Sequence, residues 1–153
     1  MSNALAISGV TSVLQYYLNL AYHQSKSVLG SVSVTAVAPD IVQTSQAGGP
    51  SLQVNLFLHQ VTHNAAWRNI GFPSLSSDGA NRLNNPPLAL DLHYLLTAYG
   101  FEDTQAEALL GYGVLFLHQN PVLARADITT ALSNLPSGNP YHTSLSGSGL
   151  ADQ

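Results

Sequence analysis

The sequence predicts an α+β (mixed α/β) domain in which two to three helices pack on a small mixed β-sheet. Two patterns carry this. Residues 4–24 and 104–119 place apolar side chains three and four apart, as one face of a helix does. Between them, 32–38, 52–62 and 88–99 alternate with a period of two, as strands do. No internal repeat breaks the order, and 153 residues suffice for one domain with a core.

Each element has its own signals. Ser2 or Asn3 caps the first helix. Ile7, Val10, Leu14, Tyr17 and Ala21 line its inner face, widened by Val13 and Leu18. Gly30 closes the segment, because glycine supports a left-handed turn after a helix. Val32, Val34, Ala36 and Ala38 alternate until Pro39-Asp40 end the strand. Residues 43–51 read as a loop with Gly48-Gly49-Pro50 as its turn. In the next strand Leu52, Val54, Leu56, Leu58 and Gln60 share one face; Gln53, Asn55, Phe57, His59 and Val61 share the other. Pro86-Pro87 lead into the third strand, where Leu88, Leu90, Leu92, Tyr94 and Leu96 oppose Ala89, Asp91, His93, Leu95 and Thr97. Gly100 ends it. Glu102-Asp103 put negative charge at the positive end of helix 104–119. Its inward residues read as Ala106, Leu109, Leu110, Val114 and Leu117, and Asn120-Pro121 stop it. Ile128, Ala131, Leu132 and Leu135 predict a further short helix. The domain is therefore bounded at 1–135. The Gly/Ser/Pro-rich segment 136–153 is expected to hold no packed element.

Composition narrows the function. Net charge is -4, and the only cationic side chains are the scattered Lys26, Arg68, Arg82 and Arg125. Nucleic acid binding needs several clustered ones. The absence of cysteine excludes disulfides, thiolate catalysis and cysteine zinc sites. Charged residues are 8% of the chain, against about 25% in ordinary soluble domains. Such a surface suits a subunit covered by copies of itself or by partners; a secreted or halotolerant monomer with a neutral polar surface is the alternative. No run reaches the roughly 18 apolar residues of a membrane span; residues 88–99 are too few and include Asp91 and His93. The N-terminus lacks the basic start and apolar block of a signal peptide, so assembly in the cytoplasm is expected.

The connection 63–87 is polar and aperiodic, far beyond the usual length of about 4–6 residues. It holds the only tryptophan, Trp67, and two of the three arginines. Trp and Arg are favoured anchors of interfaces. Trp67, Arg68, Asn69, Arg82, Leu83 and Asn84 are the candidate interface residues. The competing reading folds Trp67 and Leu83 back onto their own domain.

Catalytic patterns fail on spacing. His59 and His63, in HQVTH, have Gln60 where a zinc protease would carry glutamate. On a strand they stand about 13 Å apart, too far to share an ion. Asp91 and His93 sit two apart on one strand face, parallel and without a nucleophile elbow. Gly111 and Gly113 lie inside a helix and not at its start after a strand, so close packing explains them better than a dinucleotide site. Lys26 has no phosphate loop, and the carboxylates are scattered. No catalytic residue, cofactor or metal is assigned, and a binding or structural protein is expected.

Several strings closely resemble one family: NLFLHQVTHNAAWRN (55–69), SDG (77–79), RLNNPPLALDLHYLLTAYG (82–100), AEALLGYGVLFLHQNPVL (106–123) and the opening MSNALAISGVTSVLQYYL. It is the N-terminal domain of tail-terminator, or cap, proteins of extracellular contractile injection systems of the antifeeding-prophage and Photorhabdus virulence-cassette type. The resemblance covers about 1–135 and is densest over 82–100. It implies a phage tail-terminator-like fold and a hexameric ring at the end distal to the baseplate. That ring would end the inner tube and anchor the last sheath layer. The implied partners are further copies of the chain, the inner tube protein and the sheath protein, in a particle of the kind released by lysis. No cofactor or enzyme activity is implied, and open sheet edges suggest strand addition between cap and sheath. Family members usually continue past the position of Leu150, so a missing strand, supplied by a partner or by further residues, is expected. The alternatives are another sixfold neck or tube-sheath joining component, a small hydrolase using His93 or His59, and a secreted binding module.

Overall fold

The computed structural model describes residues 4–42, 45–46, 49–67, 75–81, 83, 88–136, 139 and 141–146. The chain forms two compact units, one of Met1–Phe57 with Leu95–Gln153 and one of Leu58–Tyr94. The elements are, in order, α1 (Ala6–Gln24), α2 (Lys26–Leu29), β1 (Val32–Thr35), β2 (Ser45–Gln46), β3 (Gly49–Pro50), β4 (Leu52–His63), β5 (Leu90–Tyr99), α3 (Gln105–Gln119), α4 (Arg125–Ser133) and α5 (His142–Ser146), with a 3-10 turn at Pro39–Ile41. Helices and strands follow the predicted α+β order. Gly30 takes φ +79° after α2, as its place behind a helix requires. The expected loop around Gly49-Pro50 contains a small antiparallel pair, β2 with β3; Gly48 lies outside the described residues.

The main sheet has the order β1-β4-β5, with β1 parallel to β4. β1 ends at Thr35, three residues before the expected stop, and the side chain of Asn55 supplies the reason. Its amide donates to the Val37 carbonyl at 2.9 Å, and its oxygen accepts from the Val37 N–H at 3.1 Å and the Thr35 hydroxyl at 2.9 Å. Asn55 thus pairs with Val37 as a backbone peptide would, and it is 0% exposed. Gln53 donates to the same Thr35 hydroxyl at 2.8 Å. Consequently Gln53, Val54, Asn55 and Leu56 are all buried, where a half-buried strand alternates. At the outer edge of β1, Gln15 donates to the Val34 carbonyl at 2.9 Å and Asn19 accepts from its N–H at 3.3 Å. Side chains of α1 thereby cover the backbone edge that an exposed strand would leave open.

No single stripe of α1 faces inward. Val13 belongs to a cluster with Ala131, Leu132, Leu135 and Leu145, with Tyr17 and Ile128 packed against it. Tyr22, about two and a half turns later, buries its ring and donates its hydroxyl to the Leu109 carbonyl at 2.7 Å. Gln15 and Asn19 serve β1. Three neighbours at three angles explain why Val10, expected inward, is exposed while Val13, Leu18 and Tyr22 are buried. The helix read from Ile128 to Leu135 is α4, and Asp127 reaches back to the Ala124 N–H at 3.2 Å across its first turn. The segment after Pro136 corrects an expectation. It forms α5, and Leu145 is 1% exposed in the same cluster as Val13. One leucine among Ser, Thr and His carries too little periodicity to read as a core position. Asn139 adds a bond to the Ser12 hydroxyl at 3.3 Å.

Candidate interaction surface

Of the six residues singled out for an interface, Trp67 and Leu83 are described, and they are 62% and 66% exposed. Arg68, Asn69, Arg82 and Asn84 lie outside the described residues, as do Pro86 and Pro87. Leu75 and Leu88 in the same unit are exposed as well. These large apolar side chains of the 58–94 unit face outward, as does Val61.

A residue that composition does not flag holds Trp67 in place. Asn64 follows the last residue of β4, and its N–H donates to the Ala89 carbonyl at 3.1 Å. Its side-chain amide donates to the Asp91 carboxylate at 2.7 Å. Its side-chain oxygen accepts from the N–H groups of Ala66 at 3.1 Å and Trp67 at 2.9 Å. Asparagine makes this turn readily because its side chain mimics a backbone peptide. The result fixes the Trp67 backbone to β5 while the indole stays in solvent. The signal in the sequence is an asparagine at a strand end just before the tryptophan.

A second fixed turn spans Ser76 to Asn81. The Ser76 N–H donates to the Asn81 carbonyl and the Gly79 N–H to the Ser76 carbonyl, both at 2.8 Å. The Asn81 N–H donates to the Ser76 hydroxyl at 3.0 Å, and that hydroxyl donates to Asp78. The Ser76 hydroxyl first, then the Ala80 N–H, hold the Asp78 carboxyl below the usual carboxylate range. This arm is long for a connection, and its turns are closed by their own polar groups.

The histidines and Asp91 are engaged separately. His93 Nε2 shares a hydrogen bond with the Thr62 hydroxyl at 2.9 Å, and the rings of His59 and His93 lie 6.4 Å apart, edge to face. Asp91 bonds Asn64. Residues 59 and 62 both reach His93. His59, Gln60 and Val61, three successive residues of β4, are all exposed. The expected alternation of faces fails at this point. HQVTH is a strand, as its neighbours suggested.

In the other unit, α3 carries a second apolar surface. Leu109 and Gly113 are its buried residues. A Cβ on Gly113 would lie 2.7 Å from the Tyr22 hydroxyl and 3.1 Å from Leu96, so the missing side chain is what lets α1 and β5 approach. A Cβ on Gly111 would meet nothing within 4 Å. The two glycines, read together as packing positions, therefore differ. Leu110 and Val114, expected inward, face outward, because the inner face is centred on the Leu109–Gly113 line. Val114 and Leu115 are 55% and 50% exposed, and Tyr112 is exposed beside them. No helix among the described residues is long and apolar enough to cross a membrane.

Comparison with known proteins adds one finding. The family model described as the Pvc16 N-terminal domain matches residues 9–151. No curated protein and no solved structure matches the chain.

Proposed function

Because the chain belongs to the Pvc16 N-terminal domain family, a component of contractile injection systems of the Photorhabdus virulence-cassette type, we propose that it is the tail terminator, or cap, of such a particle. In this reading six copies form a ring that ends the inner tube and anchors the last sheath layer, at the end distal to the baseplate. The role is mechanical and not enzymatic. The observation that carries it is the pair of exposed apolar surfaces, on the Trp67 arm and on α3, in a chain that is 8% charged. A lone domain gains nothing by presenting them, whereas a cap must meet its own copies and the end of a tube. The separate partners of Asp91 and His93 are consistent with a structural role.

The test is negative-stain imaging of the purified protein with tube protein undergoing polymerisation. A plug at one tube end that stops growth is the expected outcome. Tubes that lengthen unchanged, with no density at their ends, would refute the cap role. Density that joins tube to sheath without stopping growth would favour a neck or joining component.

A further inference from the structure

We propose that the outer face of α3 pairs with the same face of a second copy, antiparallel and about a two-fold axis. Gly111 is exposed in the middle of α3, where glycine costs about 1 kcal/mol against alanine. Gly113 is explained inside the chain by the Tyr22 hydroxyl and Leu96. Among the described residues Gly111 has no such reason, since a Cβ there would meet nothing within 4 Å. Bare backbone on an outer helix face lets another chain approach closely.

Gly111 sits in a seam. Glu107, Gly111, Val114 and His118 follow at intervals of four, three and four residues, the spacing with which paired helices mesh. All four are exposed. They fall within about 60° of arc, on the side away from the buried Leu109 and Gly113. The exposed Leu110 and Leu115 flank them. The seam is its own complement about the point midway between Gly111 and Val114. Glu107 and His118 lie about 8 Å to either side of that point. A two-fold axis there sets each Val114 over the partner's Gly111 and each Glu107 against the partner's His118. The imidazole N–H donates to the carboxylate, and the pair occurs twice. A parallel pairing sets glutamate beside glutamate and leaves Gly111 facing Gly111. Charge and shape therefore select the antiparallel copy.

The contact is small. Fifteen residues make a helix about 22 Å long. Its outer face buries at most a few hundred Å² of each copy, where a standard interface buries about 800 Å² per partner. The pairing therefore belongs to the weak, concentration-dependent class. It closes after two copies, so it is a different contact from the head-to-tail one that a ring needs. It does not rest on the cap reading, and either can fail without the other.

The experiment measures the mass of the full chain by sedimentation equilibrium over a concentration series reaching millimolar. Wild type should double, from monomer to dimer or, where rings form, from ring to pair of rings. Gly111→Leu fills the gap under the partner's Val114 and should abolish the doubling. Its circular dichroism should be unchanged, because the site is open within the chain. Glu107→Lys and His118→Glu should each weaken the doubling about tenfold, since two pairs are lost per dimer. The double swap, Glu107→Lys with His118→Glu, should recover most of that loss. Both new charges oppose the helix dipole and stand about 16 Å apart along one helix, so the recovery comes from the partner and not from the fold. A wild type that does not double overturns the proposal. So does a Gly111→Leu protein that doubles like wild type, or a double swap no tighter than its single variants. A chain that never doubles, but whose binding to tube or sheath protein is lost on Gly111→Leu, assigns the seam to that protein and overturns the proposal too. Doubling in a protein that leaves tube growth unaffected would sustain this pairing and refute the cap.

Discussion

At the scale of single residues, two buried polar side chains decide more than their number suggests. Asn55 satisfies both backbone groups of Val37 and the Thr35 hydroxyl from a position with no solvent. Each buried group left unpaired costs about 1–3 kcal/mol. Asn55→Ala should therefore lose roughly 3 kcal/mol in urea unfolding. Asn55→Asp keeps the shape but sets a carboxylate against the Val37 carbonyl, and should be destabilised as well. A variant as stable as wild type would mean that Val37 finds other partners. Tyr22 gives a prediction in pH. Burial pushes its hydroxyl up to about 12, with the Gly113 backbone hydrogen bond acting in the opposite direction. An unfolded tyrosine loses its proton near 10. Between these values the folded chain holds the proton that the unfolded chain has released, so stability falls as pH rises. Below about 10 that contribution is fully present. Tyr22→Phe should lose about 1 kcal/mol at neutral pH with its hydrogen bond and show a shallower decline above pH 10. Urea midpoints for both proteins along a pH series up to about 12 test this; parallel curves would remove Tyr22 from the alkaline transition.

At the scale of elements, α3 separates two glycines that sequence treats alike. Alanine is favoured over glycine in a helix by about 1 kcal/mol, and nothing obstructs a side chain at Gly111. Gly111→Ala should raise the melting temperature. Gly113→Ala must push a methyl into the Tyr22 hydroxyl and Leu96, and should cost about 1–3 kcal/mol, as overpacking does. Equal effects at the two positions would contradict the packing of α1 on α3. Much of the architecture is legible from periodicity: the first helix, the long strands and α3 all lie where apolar spacing places them. Periodicity fails where a segment has several neighbours. α1 turns different faces to α4, β1 and α3, so no single stripe describes it. β4 is covered on both faces near Asn55 and exposed on both near Gln60, so its alternation breaks twice. The candidate site shows the same limit. Trp67 and Leu83 stand out by composition, whereas Asn64 and Asp91, which hold the arm, are ordinary polar residues until their partners are known. The exposed face of α3 is hidden from sequence for the opposite reason. LLGYGVLFLH is apolar all round, and such a helix reads as buried.

At the scale of the whole chain, the first helix and the last described one share a core. Val13 meets Ala131, Leu132, Leu135 and Leu145, and among the described residues Leu145 is the only member beyond residue 136. The Gly- and Ser-rich composition after Pro136 suggests a tail that the fold could lose, while the packing makes it part of what holds α1 and α4 together. Leucine-to-alanine changes in a core cost about 2–5 kcal/mol, more where the cavity cannot collapse. The neighbours of Leu145 are side chains of two longer helices, and helices held on other sides have little room to close a gap. Leu145→Ala should therefore cost about 3 kcal/mol, or roughly 10 °C in melting temperature for a chain of this size. The exposed neighbour Ser144 serves as the control, since Ser144→Ala touches nothing buried and should change little. The loss should appear in one transition that also carries the α1 signal, because Val13 would lose the same neighbour. A Leu145→Ala protein that melts with wild type would make the segment after Pro136 an accessory to a core that closes without it, and would restore 1–135 as the folding unit.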